Sequence, residues 1–128
     1  MTKIESAVND FQQALKRFAE AMQLQESDIK RDAVIKRFEF TTELMWKALK
    51  SVLNDEFGVL CYSPKPCIKE AFQNNLLDYD EFWLDIINLR NTAAHVYDEE
   101  KVKEIYSQMP AVLQRFEKLS EKFTELRN

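Results

Sequence analysis

An all-α helical bundle is the fold class this sequence predicts, on three observations. A chain of 128 residues holds one glycine and three prolines, so it lacks the residues that tight hairpin turns demand, and a many-stranded sandwich or barrel is excluded. Apolar side chains recur at spacings of three and four along most of its length, the period of an amphipathic helix. With 45% apolar residues, nine of them phenylalanine, and 31% charged residues, it can bury a core under a polar surface, which excludes global disorder. The length suits a single domain over residues 1–128.

The first helix is expected from Lys3 to about Gln23, with Ile4, Val8, Phe11, Leu15, Phe18, Ala19 and Met22 on one stripe. In the polar stretch LQESD, Ser27 or Asp28 can cap a second helix from about Ile29 to Asn54, the longest uninterrupted pattern. Val34, Ile35, Phe38, Met45, Leu49, Val52 and Leu53 share one side of it, while Phe40 and Leu44 fall on another, so this helix needs two partners. Between those sides Glu39, Glu43 and Lys47 repeat every four residues and read as a solvated ladder of charges.

Gly58, within DEFGVLCYSPKP, marks the main turn. Ser63 before Pro64 is a cap and first-turn pair opening a short third helix to about Asn75. A fourth helix is expected to begin near Asp80, where Asp78 and Glu81 also suit a helix N-terminus, and to lead through Trp83, Ile86 and Ile87 into RNTAAHVY. Asp98, Glu99 and Glu100 look like the cap and acidic first turn of a fifth helix. Pro110 should kink or break it before a last segment with Val112, Leu113, Phe116, Leu119 and Phe123. The expectation is four long helical passes and one short one.

Several functions are excluded by composition. No apolar run approaches the length of a membrane span, and the polar start MTKIESAVND has no signal-peptide core, so the protein is read as cytoplasmic. A net charge of -4 has the wrong sign for broad attraction to phosphate backbones, so any nucleic-acid contact must be local. Lys30, Arg31, Lys36, Arg37, Lys47 and Lys50 spread over more than one face and read as ordinary surface charge. Cys61 and Cys67, with a single distant histidine, cannot make a structural zinc site. In a reducing cytosol they are expected as free, buried or half-buried thiols. Asp78, Asp80, Glu81 and Asp85 read as an acidic helix start, and Glu39 with Glu43 lacks the glutamate–histidine pairing of bundle metal sites. Trp46 and Trp83 fall on apolar stripes and read as core.

The stretch Arg90, Asn91, Thr92, Ala93, Ala94, His95, Val96, Tyr97 carries the chemistry. Arginine grips a phosphate through a fixed fork of donors, and histidine moves a proton near neutral pH. Together they suit phosphodiester cleavage, in which a base activates a ribose 2'-hydroxyl, a cation offsets charge on the phosphorane-like transition state and an acid protonates the leaving oxygen, with no metal required. The same two residues also suit a helix C-terminus, where they bond to open carbonyls and complement the dipole. On a continuous helix Arg90 and His95 would stand roughly 140° apart with about 7.5 Å of rise between them. Either the helix ends between them, as the cap at Asp98 suggests, or a second copy completes the site. Acid and base roles are easier to fill with two His95 side chains across a twofold axis, and an isologous dimer would also use the second apolar side of the long helix.

Arginine, four residues, histidine, one residue and tyrosine at a helix end in a small all-α protein resembles the HEPN superfamily. The chain looks like the HEPN subunits paired with minimal nucleotidyltransferases, also known as nucleotidyltransferase substrate-binding proteins. RFEFTTELMWKALK, the loop with Gly58, KPCIKEAF, the tryptophan helix and RNTAAHVY occur in that family's order, covering nearly the whole chain. The resemblance implies a four-helix up-and-down bundle with an extra short helix, forming a homodimer with its two motifs face to face. It implies a metal-independent endoribonuclease, the toxin of a toxin–antitoxin pair, with Arg90 and His95 at the catalytic positions and Asn91 orienting the site or contacting phosphate. Tyr97 matches the tyrosine that the cognate nucleotidyltransferase antitoxin modifies with AMP, so ATP and magnesium belong to that partner and no cofactor to this chain. The alternative is a non-catalytic subunit that binds substrate or nucleotide for the nucleotidyltransferase.

Overall fold

The computed structural model describes residues 1–96 and 98–127, so Tyr97 lies outside the described residues. Among those residues six α-helices follow one another and there is no strand: α1 (Lys3–Met22), α2 (Asp28–Phe57), α3 (Pro64–Gln73), α4 (Phe82–Ala93), α5 (Glu99–Ser107) and α6 (Met109–Leu126). The expected four long passes and one short one resolve into three helices of 18 to 30 residues and three of 9 to 12.

Local chemistry explains the boundaries. Thr2 accepts from the Glu5 N–H while the Glu5 carboxylate accepts from the Thr2 N–H, a reciprocal cap that starts α1. The Ser27 hydroxyl accepts from the Lys30 N–H at 3.0 Å and opens α2. Gly58, at φ 66°, ends that helix in the left-handed conformation that a Cβ disfavours. Pro110 breaks the chain at Gln108 rather than bending it, and then sits in the first turn of α6, where its missing N–H is not needed.

α4 begins later than the acidic run suggests. Asp80 is held in front of it: one carboxylate oxygen accepts from the Phe82 N–H at 3.1 Å and the other from Arg115 Nε at 2.9 Å. The Arg115 guanidinium lies over the Phe82 ring, 4.2 Å from its centre, so α6 clamps the start of α4.

The two cysteines correct an expectation, because Cys61 and Cys67 form a disulfide instead of standing as free thiols. The turn at Ser63 and Pro64 folds the start of α3 back on the preceding loop, and the two Cα atoms come within 5.2 Å. Both residues are buried.

α1 and α2 lie antiparallel, with Thr41 opposite Ala14 and Arg37 opposite Arg17. Thr41 and Thr42, the buried polar residues of α2, return their hydroxyls to the carbonyls of Arg37 and Phe38, so burial leaves neither unsatisfied. α6 closes the other flank, also antiparallel to α1, with Gln12 Nε2 donating to Ser120 and Arg127 pairing with Glu5. Phe11, Phe18, Phe38, Phe116 and Phe123 fill the space between these three helices. No helix among the described residues is long and apolar enough to cross a membrane.

Candidate functional site

The site is built where α4 stops. Ile86 and Ile87 bury the middle of this helix, and its last turn carries Arg90 at the negative end of the helix dipole, a favourable place for a cation. The helix ends at Ala93. The Ala94 N–H still bonds to the Arg90 carbonyl, the His95 N–H reaches back to the Thr92 carbonyl at 3.1 Å, and the chain then leaves the helical path. The regular helix therefore ends between Arg90 and His95, although Ala94 keeps a helical φ of -65° and ψ of -16° and the last bond tightens from i−4 to i−3. Asp98 caps α5 three residues beyond His95, its carboxylate accepting from the Glu100 N–H at 3.0 Å.

Asn91 and His95 are exposed, whereas Arg90 is half-buried. Among the described residues no hydrogen bond or ion pair joins Arg90, Asn91 and His95 to one another. Arg90 instead meets α2: its Nη2 stands 3.6 Å from Glu43 Oε2, and Glu43 Oε1 is 3.7 Å from Lys47 Nζ. Both separations exceed the roughly 2.7–2.9 Å of a short charge-assisted bond, so Glu43 orients the guanidinium without saturating its donors. Arg90 Nε is buried with no acceptor among the described residues. A guanidinium held this way keeps donors for an incoming anion.

Glu43 is the residue that sequence reasoning does not find. Its four-residue spacing to Lys47 suggests a solvated ladder, and that pair is present, but the α2–α4 crossing also brings it to Arg90. Phe40, one turn earlier on α2, is 61% exposed, an apolar ring left open beside the charges. A cleft of about 500 Å³ runs along the other side of α4, lined by Asn88 and Thr92 with Lys101 and Glu104 of α5, and neither Arg90 nor His95 lines it. In one chain His95 therefore stands exposed, and Arg90 is half-buried against α2. Among the described residues no group of three or more histidine, cysteine, aspartate or glutamate side chains converges to hold a metal ion.

Comparisons with known proteins agree with this architecture. A family model described as nucleotidyltransferase substrate binding protein like matches residues 2–125. A protein of Haemophilus influenzae named probable ribonuclease HepT is 32% identical over 81 residues, 59% of this chain and 54% of that protein, so the chain spans about half the length of this relative. A crystal structure of a Thermus thermophilus protein superposes with a TM-score of 0.83 at 31% identity, covering 88% of this chain and 98% of that one.

Proposed function

This chain belongs to the nucleotidyltransferase substrate binding protein-like family, within the HEPN superfamily, and from that premise we propose that it is a metal-independent endoribonuclease, the toxin of a toxin–antitoxin pair. The observation that carries the reading is the helix end within the motif, which leaves His95 exposed and Arg90 with donors only partly engaged by Glu43. His95 takes the proton of a ribose 2'-hydroxyl, whose oxygen attacks the adjacent phosphorus. The Arg90 guanidinium stabilises the charge on the non-bridging oxygens. A protonated imidazole gives its proton to the departing 5'-oxygen, leaving a 2',3'-cyclic phosphate and a 5'-hydroxyl. Glu43 positions Arg90, and Asn91 offers an amide to the phosphate.

One chain supplies one imidazole on an open surface. A homodimer across a twofold axis would supply the second and enclose the site, and exposed Phe40 beside Glu43 supports α2 as part of that interface. Residues 1–128 act as one HEPN-like bundle in the cytoplasm, where the burial of Cys61 and Cys67 would shield their bridge from reduction. A cognate nucleotidyltransferase, holding ATP and magnesium itself, transfers AMP to the Tyr97 hydroxyl with release of pyrophosphate and so adds charge and bulk two residues after His95 in the chain. The family's description favours one other reading, a non-catalytic subunit whose Arg90 and His95 bind nucleotide for that enzyme.

The test is cleavage of a mixed RNA pool in EDTA by wild-type protein and His95→Ala, each before and after treatment with the nucleotidyltransferase, ATP and magnesium. Cleavage should fall by roughly 10²- to 10⁴-fold in the variant and be suppressed by AMP transfer. A folded, unmodified wild-type dimer that leaves RNA intact would move the assignment to the binding subunit.

A further inference from the structure

A second groove lies on the other side of Lys47. It has a volume of about 580 Å³ and runs between the start of α1 and the second half of α2, with Lys3 and Asp10 on one wall, Trp46, Lys47 and Lys50 on the other, and Leu60 across one end. Three features distinguish it from an ordinary seam between helices. Trp46 lines it, and the indole N–H of Trp46 lies beneath the surface with no acceptor among the described residues, so the ring and not its N–H is what the groove presents. Tyr62 stands 73% exposed at its edge with the Lys50 ammonium 5.6 Å from the ring centre, so a cation and an aromatic face are presented together. The groove also neighbours the candidate site, because Lys47 on its wall is ion-paired with Glu43 and Glu43 with Arg90.

Glu43, Lys47 and Lys50 follow at spacings of four and three and share one side of α2. From Glu43 to Lys50 the helix rises about 10 Å, room for a strand to pass from the Arg90 phosphate position to Tyr62. Alternating cations and aromatic faces along a track suit single-stranded nucleic acid, whose phosphates pair with lysine and whose bases stack on any aromatic ring. Asp10 and Asp55 offset the lysines, so the track is nearly neutral overall and its phosphate contacts are few.

We propose, resting on the RNA-cleavage reading above, that this groove binds the single-stranded RNA flanking the scissile phosphate, with Lys47 and Lys50 on its phosphates, Tyr62 stacked on a base and the Trp46 ring beneath the strand. Recognition then comes from stacking and a few phosphate contacts, so the groove favours unpaired RNA over duplex.

The experiment uses the His95→Ala protein, which binds without cutting, and a fluorescein-labelled ten-nucleotide single-stranded RNA followed by anisotropy over a range of salt. Tyr62→Ala should weaken binding about fivefold or more, and Tyr62→Phe should restore it. Lys50→Gln should lower the slope of log affinity against log salt by about 0.7, one phosphate contact. In ¹⁵N-labelled protein the Trp46 indole resonance should move on RNA addition while that of Trp83, outside the groove, stays in place. RNA bound equally well by Tyr62→Ala and Lys50→Gln, with the Trp46 resonance unmoved, overturns the groove and leaves the cleavage reading standing. Cleavage by wild type without measurable binding of this RNA does the same. No binding and no cleavage by folded wild-type protein removes both.

Discussion

Two regions of this molecule use side chains in opposite ways. Between α1, α2 and α6, five phenylalanines lie fully buried, and Phe11 meets both Phe116 and Phe123 edge to face at 5.9 Å. At the junction of α4 and α5, Asn91, Thr92, Ala94, His95 and Asp98 are all exposed, and among the described residues from 91 to 98 only Ala93 and Val96 are partly covered. The first region concentrates the apolar burial that stabilises the fold. The second is a short connection held at both ends by helices, where polar groups face solvent at little cost. A site placed there can change its chemistry without endangering the fold, and the fold can be weakened without touching the chemistry.

The strongest way to break that comparison is Phe116→Ala. Phe116 is fully buried against Phe11, Phe18 and Trp83, and its truncation should cost about 3–5 kcal/mol in urea unfolding, a large share of the roughly 5–15 kcal/mol of a typical domain. His95→Ala, at an exposed position, should stay within about 0.5 kcal/mol of wild type. Comparable losses in the two variants would mean that the motif is part of the core after all.

A smaller effect is expected from the disulfide, which belongs to neither region and ties the loop after α2 to α3. Cys61 and Cys67 are separated by six positions, and cross-linking so short a loop stabilises by about 2 kcal/mol through the unfolded chain. The double Cys61→Ser, Cys67→Ser variant should lose at least that much in urea unfolding. Reductant should lower the wild type toward it and leave the variant unchanged. A wild type indifferent to reductant would show that the bridge adds nothing to what burial of the two side chains already supplies.

Much of the helical frame is legible in single residues because its causes are local. One glycine with φ 66° ends α2, Ser27 and Asp98 cap as their side chains predict, and Pro110 interrupts where its ring must. The helix end inside the motif is legible too, from the cap at Asp98 and the angle a continuous helix would impose. Contacts between helices are not legible, since spacing along one helix says nothing about what crosses it. Glu43 has the same i,i+4 partner whether or not Arg90 approaches, and Asp80 reads as the start of α4 although Arg115, 35 positions away, holds it. The disulfide escapes the sequence for a related reason: compartment chemistry argues for thiols, and only the turn at Ser63 and Pro64 brings the two cysteines together.

The smallest effect concerns the tie between the two regions. Tyr106 of α5 donates to Glu26 Oε1 at 3.0 Å, and Lys30 Nζ donates to the same oxygen at 3.1 Å, so one carboxylate in the turn between α1 and α2 holds the helix that follows the motif. The Lys30 and Tyr106 hydrogen bonds keep the Glu26 carboxyl below its ordinary value of 4.5. A carboxyl lowered in the folded state contributes stability that is fully present above its unfolded pKa and is lost as pH falls through the folded one. Amide exchange in α5 should therefore be constant above about pH 5 and should quicken, after correction for intrinsic rates, as the solution is acidified below it. In Glu26→Gln the amide still offers an oxygen to Tyr106 but no longer titrates, so that acid-dependent increase should shrink while protection at neutral pH falls only slightly. An increase of the same size in the variant would place the acid-sensitive group elsewhere and leave α5 held by its own burial at Ile105.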